Sequence, residues 1–137
     1  MKRGLLVLAV VVVLVLAIGL RHILLPGPKG VLSDGVLLTK DGPSEAALKV
    51  GEKCTVRLTE NITTGYSWSY RIEKADVISL VSDEYTAPDT GLTGAPGTHE
   101  WTLKAQKPGQ SKITFEYSRS WENVKPDETQ VYTIKVE

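Results

Sequence analysis

Cysteine is nearly absent from this 137-residue chain: Cys54 stands alone, so no disulfide can form within one chain. Histidine is almost as scarce. His22 and His99 lie far apart in sequence, without carboxylate or thiol neighbours at ligand spacing, so no zinc site and no other cofactor is expected. An excess of positive charge is missing too. The four basic residues ahead of Ser33 (Lys2, Arg3, Arg21, Lys29) precede the segment that reads as a domain, leaving 12 Lys and Arg against 16 Asp and Glu in residues 34–137. A mildly acidic domain offers no patch for phosphate, which excludes nucleic acid as a partner. No helical period of useful length and no internal repeat appears in residues 34–137. Global disorder is excluded as well, because aliphatic residues are plentiful and charge is moderate at 23%.

What is present begins with a hydrophobic stretch. Lys2 and Arg3 precede an apolar run over residues 5–20, the order of a positive n-region and an inserted segment. Having no polar face, the run reads as a hydrophobic helix of a membrane rather than of a core. Two outcomes stay open for residues 1–25. Ala17 and Gly19 have the spacing for signal-peptide cleavage, whereas Ile23, Leu24 and Leu25 lengthen the run toward an uncleaved signal anchor. No cysteine follows the run, so a lipoprotein anchor is excluded. Either outcome delivers the rest of the chain to an extracytoplasmic location. Residues 26–33, with Pro26, Gly27, Pro28 and Gly30, read as a linker.

Residues 34–137 alternate with a period of two. Cys54, Val56 and Leu58 interleave with Lys53, Thr55 and Arg57; His99, Trp101 and Leu103 interleave with Glu100, Thr102 and Lys104. The same pattern holds for Trp68, Tyr70 and Ile72, for Ile113, Phe115 and Tyr117, and for Tyr132, Ile134 and Val136. Each set places one face on a core and the other in water. With segments 35–39 and 78–85 the chain reads as all-β: an immunoglobulin-like, seven-stranded antiparallel sandwich. The segment 40–48 is expected to be a plain connection.

In a sandwich of consecutive antiparallel strands, connections alternate between the two ends. Residues 60–66, 87–97 and 118–129 therefore share one end, and they are the longest and chemically richest connections, an arrangement suited to function on loops. Asn61-Ile62-Thr63-Thr64-Gly65-Tyr66 couples a turn-fixing Asn to three β-branched residues, for which an extended, stiff backbone is expected, and to a glycine exit. Asn61-Ile62-Thr63 is also a formal glycosylation sequon. The second loop, with Gly91, Gly94 and Gly97, bares main chain for pairing with an extended partner. The third carries Arg119, Ser120 and Trp121; Trp121 lies past the alternation and is expected to be exposed, and Arg and Trp are enriched in binding hot spots.

Taken together, these three segments resemble the chagasin family of papain-type cysteine protease inhibitors. Asn61-Ile62-Thr63-Thr64-Gly65-Tyr66 is similar to the family's Asn-Pro-Thr-Thr-Gly-aromatic motif, with Ile62 in place of proline. Gly94-Ala95-Pro96-Gly97 resembles Gly-x-Gly-Gly, and Arg119-Ser120-Trp121 resembles Arg-Pro-Trp. The resemblance implies a monomeric, reversible, tight-binding inhibitor whose Thr63–Thr64 segment enters the protease cleft over the catalytic cysteine. The glycine-rich loop would pair along the bound-peptide side, and Arg119 with Trp121 would pack on the opposite wall. Ile62 and Ser120 each lose proline's fixed φ, so those loops start less ordered. An enzyme is not expected, since Cys54 and His99 both fall on inward-facing sets. The rival reading is a surface-exposed immunoglobulin-like adhesion or binding module, because the fold hosts many functions.

Overall fold

Alternating burial decides where each strand of the computed structural model packs. The structure describes residues 31–32 and 35–137. The hydrophobic helix expected over 1–25 and most of the linker expected over 26–33 lie outside those residues. Among the described residues no helix is long and apolar enough to cross a membrane. The described elements are β1 (Val31–Leu32), β2 (Gly35–Thr39), β3 (Glu45–Leu48), β4 (Lys53–Glu60), a 3-10 turn (Ile62–Thr64), β5 (Tyr66–Ile72), β6 (Ile78–Thr86), β7 (Gly97–Ala105), β8 (Gly109–Arg119) and β9 (Glu128–Val136). They form two sheets, ordered β1-β2-β4-β7-β6 and β3-β9-β8-β5, so the protein is an all-β sandwich.

The inward residues meet as the alternation requires except in β5, the last strand of its sheet, where Tyr70, expected on the core face, is exposed. Leu38, Cys54, Val56 and Leu58 of one sheet face Ile113, Phe115, Tyr132 and Ile134 of the other, all of them buried. Trp101 sits at the centre, with its ring 4.6 Å from Phe115, and Phe115 in turn meets Tyr132 edge-on at 6.0 Å. Burying such a side chain contributes on the order of 1.5–3 kcal/mol.

The expectation of seven antiparallel strands is corrected in two ways. Segment 40–48 is not a plain connection, because Glu45–Leu48 forms β3, with Ala46 and Leu48 buried and Glu45 and Ala47 exposed. The signal is faint in the sequence, since two alanines carry little hydrophobic contrast. This extra strand also changes the direction of its predecessor: β2 runs parallel to β4 and β3 parallel to β9. Two of the residues expected to be linker, Val31–Leu32, pair antiparallel with β2.

From β4 onward the strands do alternate up and down. At one end Gly51 N donates to Ala105 O and Gln106 N to Val77 O, tying together the short connections after β3, β5 and β7. The opposite end holds the connections β4–β5, β6–β7 and β8–β9. In the core between them, burial pushes the Cys54 thiol up to about 12, and the thiolate is the reactive form. Native protein at neutral pH should therefore resist thiol-specific reagents and become labelled only in denaturant. Rapid labelling of the native state would place Cys54 at the surface.

Candidate functional site

The β4–β5 connection is a short finger held by its own side chains. Asn61 caps the 3-10 turn: its Oδ1 accepts from Thr63 N at 3.2 Å and from Thr63 Oγ1 at 2.6 Å. Thr64 Oγ1 donates to Asn61 O at 2.7 Å, and Gly65 N donates to Ile62 O at 3.2 Å. The extended backbone expected for Ile62, Thr63 and Thr64 is thus overturned. β-Branching disfavours helix only weakly, and the Asn cap with its threonine hydroxyl bonds outweighs it. Gly65 closes the turn at φ 78°, the left-handed conformation anticipated for it. A methyl there would also lie 2.3 Å from the Trp121 ring, so the aromatic lies directly against the finger's backbone.

The three loops then lock together. Asn61 Nδ2 donates to Gly94 O at 2.9 Å, fastening the finger to the glycine-rich loop. Arg119 Nε donates to Thr64 O at 3.2 Å, fastening it to the third loop. The Arg119 guanidinium also lies over Tyr66, 4.4 Å from the ring centre, and bonds Glu122 Oε1 at 3.2 Å. Arg119 therefore acts as a brace within the rim. Tyr117 forms the floor: its hydroxyl accepts from Asn61 N at 3.1 Å, and its ring stacks on Tyr66 at 5.3 Å and meets Trp68 at a tilt, 4.8 Å between centroids. A hydrogen bond to Asp127, then desolvation, raises the Tyr66 phenol above its ordinary range.

Above this framework the rim is apolar. Leu92 is 71% exposed, Trp121 67%, Val124 65% and Ile62 55%, the four most exposed large hydrophobic residues among those described. All four lie on the three loops, where an unburied apolar cluster marks an interaction surface. Thr63, Thr64, Gly94, Pro96 and Ser120 are exposed beside them, with Asn61, Gly65, Tyr66 and Ala95 partly covered.

One expected residue falls elsewhere. Gly97 begins β7 and is buried, and a methyl on it would meet the Tyr85 hydroxyl at 2.3 Å and Thr86 O at 2.5 Å. It serves the close packing of β6 on β7. Leu92 and Val124 were not singled out by residue; an apolar side chain inside a run of Gly, Thr, Asn or Pro was the available signal. Tyr117, expected on the core face at the start of the third loop, packs against the core and also supports the finger. His99 does have carboxylate neighbours, Glu60 Oε2 at 2.5 Å and Asp83 Oδ1, brought together by pairing of β4, β7 and β6.

A rigid sandwich presenting a braced, apolar three-loop rim defines a loop-based binding protein. The family model for chagasin family peptidase inhibitors (I42) matches residues 47–136. Amoebiasin-2 of Entamoeba histolytica is 29% identical over 104 residues, covering 74% of this chain and 84% of that protein. Chagasin of Trypanosoma cruzi is 29% identical over 76 residues, 53% of this chain and 69% of its own length. The crystal structure of the cysteine protease inhibitor EhICP2 from Entamoeba histolytica superposes with a TM-score of 0.66 at 28% identity, covering 74% of this chain and 94% of that one. The structure of PbICP-C, solved in complex with falcipain-2, shares the fold with a TM-score of 0.55 at 21% identity, over 79% of this chain and 95% of that one. The chain belongs to the chagasin family of peptidase inhibitors. It is an inhibitor and not an enzyme.

The bracing can be tested inside the finger. Gly65→Ala should force the Trp121 ring off the loop and strain the left-handed turn at a cost of about 1 kcal/mol. Iodide quenching of tryptophan emission should rise while the fold persists. Unchanged quenching would mean that Trp121 does not rest on Gly65.

Proposed function

We propose that the rim is the protease-binding surface, and that the protein is a reversible, tight-binding inhibitor of papain-like cysteine proteases. One observation carries the reading. The bonds Asn61 to Gly94 and Arg119 to Thr64 gather the three motif-bearing loops into one ridge whose apolar residues stay unburied. Thr63 and Thr64 at the crest enter the active-site groove over the catalytic cysteine. The loop of Leu92, Gly94, Ala95 and Pro96 lies along one wall, and Trp121 packs on the other. Arg119 holds Trp121 and the finger in mutual register.

Because the loops are tied to one another before any partner arrives, little ordering entropy remains to oppose binding. Proline's absence at Ile62 and Ser120 is offset by the Asn61 cap and the Arg119 brace. The same rigidity should make the finger resist digestion. Residues 62–64 form a 3-10 turn, whereas attack by a protease thiolate needs a peptide bond presented in near-attack geometry. A single protein chain suffices, since all three motif-bearing segments lie on it. The apolar run over residues 5–20 behind Lys2 and Arg3 supports an extracytoplasmic placement, by anchor or by secretion.

The compact unit Val31–Glu137 should inhibit papain stoichiometrically; an adhesion module would leave papain fully active. Trp121→Ala should weaken inhibition by about 30-fold, or about 2 kcal/mol, with Ser82→Ala on β6 as an unaffected control. Incubation with active papain followed by intact-mass measurement should return the uncut chain. Prompt cleavage within residues 60–66 would rule out the proposed resting geometry.

A further inference from the structure

The finger has no ladder beneath it. β4 lies between β2 and β7, while β5 pairs with β8, so the two stems of residues 61–65 stand in different sheets. Side chains join them instead. Glu60 Oε1 accepts from Trp68 N at 2.8 Å, on the open side of β5, and Trp68 Nε1 donates to Thr59 O at 2.9 Å. Glu60 is only 3% exposed, and a buried carboxylate is costly unless it is paired and hydrogen-bonded.

The pairing comes from β7. His99 Nδ1 meets the second Glu60 oxygen at 2.5 Å, and His99 Nε2 meets Asp83 Oδ1. The imidazole lies flat on Trp101, with centroids 3.9 Å apart and planes 14° apart, and Tyr85 approaches it edge-on. The acidic and basic neighbours of the ring are thus Glu60 from β4 with Asp83 and Tyr85 from β6. β5 contributes Trp68, and β8 contributes Tyr117, whose hydroxyl bonds Asn61 N. Glu60 immediately precedes Asn61, and β6 and β7 carry the glycine-rich loop between them. One chain of contacts therefore underlies two of the three loops.

We infer that Glu60, His99 and Asp83 form a positioning relay that sets the finger and the glycine-rich loop in register for inhibition, a role that rests on the function proposed above. Glu60 and His99 lie below the rim and act through Trp68 and Asn61 rather than by touching a protease. An apolar residue at Glu60 could fill the same space but would offer no acceptor to the free amide of β5 and no polar atom reaching back to β7.

Two substitutions in the full chain test this. His99→Leu removes both ring-nitrogen contacts, to Glu60 and to Asp83. His99→Asn keeps an amide able to reach Glu60 in place of Nδ1 and gives up Asp83. The readouts are papain inhibition and amide exchange at Thr63, Thr64 and Gly65, with Ile113 and Ile134 as references in the core. His99→Leu should weaken inhibition about tenfold and speed exchange in the finger but not at the core references, and His99→Asn should restore most of both. Unchanged finger exchange, a uniform rise across the sandwich, or equal damage from the two variants would overturn the relay. Should His99→Leu fail to fold, Asp83→Asn, at a half-exposed site, should produce the same local change at about threefold; its absence would be equally decisive. If the native chain leaves papain active, the proposed inhibition fails, while the exchange pattern still decides the relay.

Discussion

The functional end depends on a single crossing, where the chain leaves one sheet at Glu60 and enters the other at Tyr66. A hairpin within one sheet would be braced by its own ladder of backbone hydrogen bonds. This connection has none, so its shape falls to Asn61, Thr63, Thr64 and Gly65 above and to Glu60 and Trp68 below. The cost of the crossing is a set of polar groups in a nearly dry interior. Its return is a finger standing on the ridge line between sheets, where loops from both can reach it.

Each of those loops is then attached by a bond to backbone. Asn61 finds the Gly94 carbonyl and Arg119 finds the Thr64 carbonyl. Bonds to carbonyls hold the path of the chain and leave the neighbouring side chains free to face outward. That division explains why Ile62, Leu92, Trp121 and Val124 remain exposed beside residues whose polar atoms are satisfied. The Asn61 amide is committed on both its oxygen and its nitrogen, which makes the sequon a structural cap within this rim. The family to which the chain belongs is defined by inhibition.

Much of this was legible along the chain. Period-two alternation located β4, β5, β7, β8 and β9, because burial on one face of a pleated strand leaves a repeating record in the residues themselves; β6 shows no such alternation. Counting connections from β4 onward placed residues 60–66, 87–97 and 118–129 together, since antiparallel succession admits no other arrangement. Other features left no such record. β3 was hidden by the small contrast between Ala47 and its neighbours Ala46 and Leu48, and with it the parallel pairing of β2. The 3-10 turn was hidden because a conformational preference belongs to each residue separately, whereas the Asn61 cap belongs to the group. Gly97 looked like part of a glycine-rich loop, and only the position of Tyr85 shows that it is a packing site.

Residue order by itself determined the sandwich, the end at which the loops gather and the family motifs they carry, since these follow from local pattern and from the succession of strands. Only the tertiary structure decided what those loops hold. Asn61 and Gly94, Thr64 and Arg119, Gly65 and Trp121, Glu60 and His99 are separated by tens of positions, and no local preference specifies such partners. They meet because two sheets pack face to face and bring the ends of six strands to one rim.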